Sequence, residues 1–174
     1  MEIDLDSNDL ILAAHNVGIM QAVKKARLDN KQIKNNKICG QTDFAVHYIG
    51  MLGEIAVCNH LGVNVRVDVT FGGDGNIDLI IKDQTIQIKT SSSLRPEPRY
   101  LIFNSMEDFA TDWAIYCSVQ SPTIIKIHGF VGKEKFKLNH EIQNFGYGDR
   151  YCLNDKYLTD ITRFDEAIEW FTKE

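Results

Sequence analysis

The segment from Ile77 to Thr90 constrains this chain more than any other. Two alternating runs flank the polar pair Asp83-Gln84, so the spacing predicts strands at Ile77 to Lys82 and Thr85 to Thr90, joined as a hairpin. With Asp83-Gln84 as a two-residue turn, Lys82 stands opposite Thr85, Ile80 opposite Gln87 and Asp78 opposite Lys89. Directly opposed residues of an antiparallel pair share a face. Leu79, Ile81, Ile86 and Ile88 then make an aliphatic face that must be covered. Asp78, Gln87 and Lys89 make the other face, which gathers a carboxylate, an amide and an ammonium.

The rest of the chain supplies what covers the aliphatic face. A helix is expected over about residues 8 to 28, capped from Ser7-Asn8-Asp9, with Leu10, Ala14, Val17, Gln21 and Lys24 on one stripe. A second is expected from about Thr42 to Leu61, capped by Thr42 or Asp43. Its stripe is Phe44, His47, Tyr48, Met51, Ile55, Cys58 and Leu61, and Gly62 sits where a left-handed terminus belongs. Val63 to Thr70 reads as a strand and Phe71 to Asn76 as a turn-rich loop. Further strands are expected at Tyr100 to Phe103, Asp112 to Val119 and Thr123 to Val131. Lys133 to Leu138 reads as a short helix or turn, and Tyr151 to Leu153 as an edge strand. A last helix is expected over Asp165 to Thr172, capped by Thr162. Helices followed by a strand meander indicate an α+β domain with a central mixed sheet flanked by helices.

The chain's 174 residues suit one domain with one sizeable core. The start is acidic, which argues against a secretory signal. The longest apolar runs, such as Leu79-Ile80-Ile81, fall far short of the roughly 20 residues a membrane span needs. A cytoplasmic protein is therefore expected. Cys39, Cys58, Cys117 and Cys152 are widely spaced, which suits reduced and mostly buried thiols, and neither they nor the five histidines show zinc-ligand spacing. A net charge of −5 argues against non-specific coating of nucleic acid, while leaving room for one basic groove. Lys24, Lys25, Arg27, Lys31, Lys34 and Lys37 form a basic stretch that reads as a solvated face or one wall of such a groove.

The polar face of the hairpin suits phosphodiester chemistry. A hard divalent cation takes oxygen ligands. Asp78 offers a carboxylate, Gln87 an amide oxygen and Ile88 its backbone carbonyl, and Glu54, beside Gly53 on the second helix, can complete the shell. Such a cation polarises a phosphate and acidifies a bound water, and Lys89 can orient that water and offset developing charge. The bland alternatives are a cross-strand ion pair of little worth for Asp78 and Lys89, and a solvated helix residue for Glu54. Asp74 reads as a turn former. Thr90 to Ser93 offer hydroxyls and N–H groups to phosphate or form a simple loop. Arg95, Arg99, Lys126, Lys133, Lys135 and Lys137 are candidate phosphate contacts, each more simply a solvated side chain. Trp113 and Trp170 read as core or interface residues, and none of His15, His47, His60, His128 and His140 shows a nucleophile–base pattern.

Gly53-Glu54 on a helix, Asp78 opening a strand and Gln87-Ile88-Lys89 on the next strand resemble the PD-(D/E)xK nuclease superfamily. The order helix, strand, strand, strand is also similar to its core, over roughly residues 42 to 131. The resemblance implies a restriction-endonuclease-like core at 42–131, an N-terminal helical extension at 1–40 and a C-terminal strand and helix at 132–174. It implies a Mg²⁺- or Mn²⁺-dependent nuclease acting on DNA, with Glu54, Asp78, Gln87 and Lys89 catalytic and Glu54, Asp78, Gln87 and Ile88 on the metal. Asn8-Asp9 to Gly18 and His128-Gly129-Phe130 extend the likeness to phage-encoded proteins of this fold, for which the site of action is the host cytoplasm. Gln87 stands where the family usually has an acid, which lowers the site's negative charge. That departure and the net charge motivate the alternative of a non-cleaving nuclease-fold protein that binds DNA or a host protein. Cutting both strands of a duplex would suit a two-fold homodimer.

Overall fold

The computed structural model describes residues 1–26, 43–65, 77–92, 99–146 and 148–171. The basic stretch beyond Ala26, most of the strand expected at 63–70, the loop at 71–76, Asp74 and Arg95 lie outside them. The first element is β1 (Glu2–Asp4), a three-residue strand. Asp6 then starts α1 (Ser7–Ala26): its Oδ1 accepts from the N–H groups of Asn8 (2.7 Å) and Asp9 (2.9 Å), and Asp9 Oδ2 accepts from Asp6 N–H (3.1 Å). This is a reciprocal capping box. The cap is therefore one residue earlier than the expected trio, with Asp9 as the returning partner. The inward stripe is Leu10, Ala13 and Val17; Ala14 is exposed.

Helix α2 (Asp43–Leu61) ends at Gly62, whose φ of 66° lets Val63 N–H reach the Cys58 carbonyl at 3.0 Å. That closes a Schellman motif at the predicted glycine. Between Met51 and Cys58 every residue is buried except Glu54, because α1 covers one side and the sheet the other. The single stripe expected from the sequence thus misses Leu52, Ala56 and Val57. Residues 63–65, the described start of the expected strand, carry no strand pairing.

The remaining elements are β2 (Leu79–Ile81), β3 (Gln84–Ser91), β4 (Tyr100–Phe103), β5 (Trp113–Val119), β6 (Ile124–Gly132), α3 (Lys133–Asn139), β7 (Glu141–Asn144), β8 (Asp149–Asn154) and α4 (Phe164–Phe171). The main sheet runs β1-β6-β5-β3-β2, with β3 and β5 parallel and the other pairs antiparallel. A second sheet runs β4-β8-β7, so the strand containing Tyr151 to Leu153 is central there, not an edge. The final helix is led in by a 3₁₀ turn at Ile161–Arg163, whose cap is Asp160; Thr162, the expected cap, donates to it.

The hairpin register differs from the sequence count. Leu79 pairs with Ile86, Ile80 with Thr85 and Ile81 with Gln84. The turn is Lys82-Asp83, with φ of 48° and 65°, the double left-handed geometry of a tight two-residue hairpin loop. Gln84 belongs to the strand because its Oε1 accepts from Trp113 Nε1 of β5 at 3.1 Å. The shift moves each partner by two positions, so Leu79, Ile81, Ile86 and Ile88 keep their shared face. Asp78 leaves the regular ladder, its N–H on the carbonyl of Ile86, the residue already paired with Leu79.

Two cores result, one on each side of the main sheet. Leu79, Ile86 and Ile88 pack with Ile55, Val57, Ile115, Ile127, Phe130 and Phe164 under α1, α2 and α4. Tyr116, Ala114 and Val131 pack with Leu101, Phe103, Phe109, Phe136 and Leu153 under the second sheet and α3. Trp113 belongs to the first core, whereas Trp170 is 64% exposed.

The first core depends on a close approach. A Cβ at Gly53 would overlap the Thr90 hydroxyl and lie 3.0 Å from Thr90 Cβ. Only a glycine lets α2 sit this near β3. Gly53→Ala is expected to lower unfolding free energy by about 1–3 kcal/mol through overpacking. Adding Thr90→Ala should recover much of that loss, and urea denaturation of the single and double variants measures both.

Candidate active site at the edge of the sheet

The pairing of β2 with β3 ends at Leu79, and Asp78 takes over where the ladder stops. Its N–H donates to the Ile86 carbonyl (2.9 Å), and its Oδ2 accepts from Ile88 N–H at 2.5 Å. The carboxylate thus replaces a backbone acceptor on the outer edge of β3. A residue's N–H and C=O leave a strand on the same edge. The Ile88 carbonyl therefore also faces the Asp78 side, as the metal reading requires of it. Ionised Asp78 has two oxygens and about four acceptor positions, so the bond to Ile88 does not exhaust it.

Gln87 is buried, 2% exposed, and faces the second core. The amide orientation that satisfies both ends has its nitrogen donating to the Asp108 carbonyl at 3.2 Å and its oxygen accepting from Lys89 Nζ at 2.9 Å. Lys89 Nζ also lies 5.4 Å from the centre of the Phe103 ring, a cation–π arrangement. Asp78 is not opposite Lys89 as the sequence count expected: its N–H bonds to Ile86, the residue that also pairs with Leu79.

Glu54 approaches from the other side of the sheet. It is half-buried, in the stretch of α2 that is otherwise fully covered. Its carboxylate and that of Asp78 both act on the Cys58 thiol. Burial pushes that thiol up to about 12, and the two negative charges add to the rise. Cys58 therefore holds its proton at neutral pH.

The structure thus brings together Glu54 and Asp78, which both act on Cys58, with Asp78 on the Ile88 main chain, whereas the side chains of Gln87 and Lys89 lie on the opposite face of β3. Glu54, Asp78, the Gln87 amide and the Ile88 carbonyl are an oxygen-only set, which fits a hard ion such as Mg²⁺ or Mn²⁺. Among the described residues no group of three or more His, Cys, Asp and Glu comes together. The set is therefore poor in charge, with two carboxylates. Thr90 does not serve phosphate as considered: its hydroxyl is buried beneath Gly53. Ser91 Oγ instead lies 3.1 Å from the Tyr116 hydroxyl.

A second polar cluster on the same face was not foreseen. His128 is the extra residue of a β-bulge: Tyr116 pairs with Gly129 and Cys117 with Ile127. The bulge lets both Ile127 and Phe130 reach the first core and turns His128 to the other face, stacked on Tyr116 at 4.7 Å. Gly129, at φ 146°, is needed because a Cβ would strike the Thr159 carbonyl. His128 Nδ1 lies 3.1 Å from Asp155 Oδ2 and its Nε2 lies 2.8 Å from Ser118 Oγ. The partners are 10 and 27 residues away in the chain. The only sequence signal was the glycine after a histidine inside a strand, a mark of a bulge.

No family model, curated protein or solved structure matches the chain. No described helix is long and apolar enough to cross a membrane.

Burial holds His128 down to about 4, against the upward pull of Asp155, with Lys126 and Arg99 lowering it further. The unfolded chain protonates near the ordinary 6.5 and the folded one only near 4, so stability falls as pH drops through that window. Between pH 7 and 5 this group should cost about 1–2 kcal/mol of stability. Urea denaturation at both values checks it; His128→Gln should lose this share of the pH dependence.

Proposed function

We propose that the protein is a Mg²⁺- or Mn²⁺-dependent nuclease of the PD-(D/E)xK type, with a restriction-endonuclease-like core, that hydrolyses phosphodiester bonds in DNA. The observation that carries this reading is the Asp78 carboxylate standing at the end of the β2–β3 ladder, on the Ile88 main chain, with Glu54 close enough for both to act on Cys58. A plain surface ion pair needs none of that arrangement.

Glu54, Asp78, Gln87 and the Ile88 carbonyl would hold the ion, which when bound supplies a Lewis acid for the phosphate and an acidified water. Lys89 projects from β3 beside Gln87, two residues from it on the same face. Its ammonium, already steered by Gln87, can donate to the attacking water or to a phosphate oxygen. The buried Gln87 fixes that ammonium, and its oxygen keeps a second lone pair for the ion. A neutral amide in place of a carboxylate leaves the site with weaker hold on the cation, so activity should need millimolar metal.

The test is cleavage of single-stranded, duplex and branched DNA, and of RNA, with Mg²⁺ or Mn²⁺. Wild-type protein should cut DNA only with metal. Asp78→Ala and Lys89→Ala should each slow cutting by about 100-fold or more. Unchanged cleavage in both variants would remove the site assignment. No metal uptake and no cleavage at millimolar Mn²⁺ would favour a non-cleaving protein that binds DNA or a host protein.

A further inference from the structure

Ser118, His128 and Asp155 have the order of bonds found in hydrolytic triads, yet Ser118 is not a nucleophile. Asp155 is an acceptor, so His128 Nδ1 carries the proton, Nε2 accepts and the Ser118 hydroxyl donates to it. Ser118 Oγ also accepts from Arg99 Nη1 and from Gln120 Nε2, both at 2.7 Å. Its Cβ, its proton and two accepted bonds fill all four directions around the oxygen. Ser118 is moreover wholly buried. No lone pair remains to attack anything.

The chain of bonds ends instead on Arg99. Asp155 holds His128, His128 turns the Ser118 hydroxyl, and the Ser118 lone pair holds one guanidinium N–H. The backbone adds a tie, with Asp155 N–H donating to the Arg99 carbonyl at 2.9 Å. Arginine has five N–H donors. Among the described residues Arg99 makes one side-chain hydrogen bond and no ion pair, and it is only half-buried. A guanidinium held at one corner by a buried hydroxyl, with more N–H donors than that bond uses, is pre-oriented for an anion.

Its location says which anion. Ser118 pairs with Ser91 in the parallel β3–β5 register, and Ser91 is two residues beyond Lys89 on the same face. Two residues along a strand span about 7 Å. The buried Tyr116, paired with Lys89, holds the Ser91 hydroxyl from below. Lys89, Ser91 and Arg99, each half-buried, therefore follow one another on one face, two cations with a hydroxyl between them, an order suited to a repeating anionic backbone. A single carboxylate or a lone phosphate would engage only one end.

We propose that Arg99 is a phosphate-binding residue that grips a nucleic-acid phosphate neighbouring the one at Asp78 and Lys89, and that Ser118, His128 and Asp155 are its positioning residues. The identity of the ligand rests on the nuclease reading; the geometry of the arginine does not.

The test is fluorescence anisotropy of a fluorescein-labelled oligodeoxynucleotide, single-stranded and duplex, in EDTA over a series of KCl concentrations. EDTA removes cleavage from the readout. Arg99→Ala should weaken binding by about ten- to a hundredfold and lower the slope of log affinity against log salt by about one. Arg99→Lys and Ser118→Ala should weaken binding while keeping the wild-type slope, since the charge remains. A merely structural role would not move the slope. Poly-glutamate should not displace the oligonucleotide. Wild-type affinity and slope in Arg99→Ala, with an unchanged thermal melt, would overturn the proposal, as would displacement by poly-glutamate. Arg99-dependent binding by a protein that cuts nothing would sink the nuclease reading alone. Cleavage with no dependence on Arg99 in binding or KM would sink this proposal alone.

Discussion

The contact of Gly53 with Thr90 sets the distance between α2 and the sheet, and most of the molecule follows from it. With no side chain at that point, the helix lies close enough to bury Met51 to Cys58 on the sheet at every position but one. The exception is Glu54. The same approach that seals the core brings in a carboxylate that acts on Cys58 together with Asp78, the residue that meets the main chain of Ile88. A wider spacing would lose core packing and also move the acid from the other groups. Stability and candidate chemistry are thus coupled through one glycine.

The other face of the sheet follows a different rule. It is buried under a second sheet, so each polar group there must find a partner. Gln87 answers to Lys89 and the Asp108 carbonyl; Ser118 answers to His128, Arg99 and Gln120. Both clusters end in a cation, Lys89 in one and Arg99 in the other. The buried groups hold these two charges in place, which reduces what a ligand must spend in ordering them. An acidic protein can in this way present a local basic row.

The hairpin's aliphatic face was legible in the sequence because strand alternation has a period of two, and a register error of two positions leaves it intact, whereas Asp78 lies past the end of the ladder, where alternation no longer places it. The register itself was not, since Gln84 is drawn into the strand by Trp113, 29 residues away. Gly62 was legible because a left-handed terminus has a specific residue preference. The caps Asp6 and Asp160 were each missed in favour of a nearby polar residue, as several Asp, Ser, Asn and Thr crowd those helix starts. Glu54, Asp78, Gln87 and Lys89 could be named from local pattern and resemblance. His128 could not, because a bulge cancels the alternation that would have placed it, and its partners come from β5 and the turn after β8.

A metal-dependent site here requires that Glu54 and Asp78 share a cation. Anomalous diffraction from crystals soaked in Mn²⁺ measures this directly. The account predicts a peak bound by both carboxylates beside the Ile88 carbonyl. Well-ordered Glu54 and Asp78 side chains with no such peak, at a Mn²⁺ concentration that fills other sites on the protein, would contradict it.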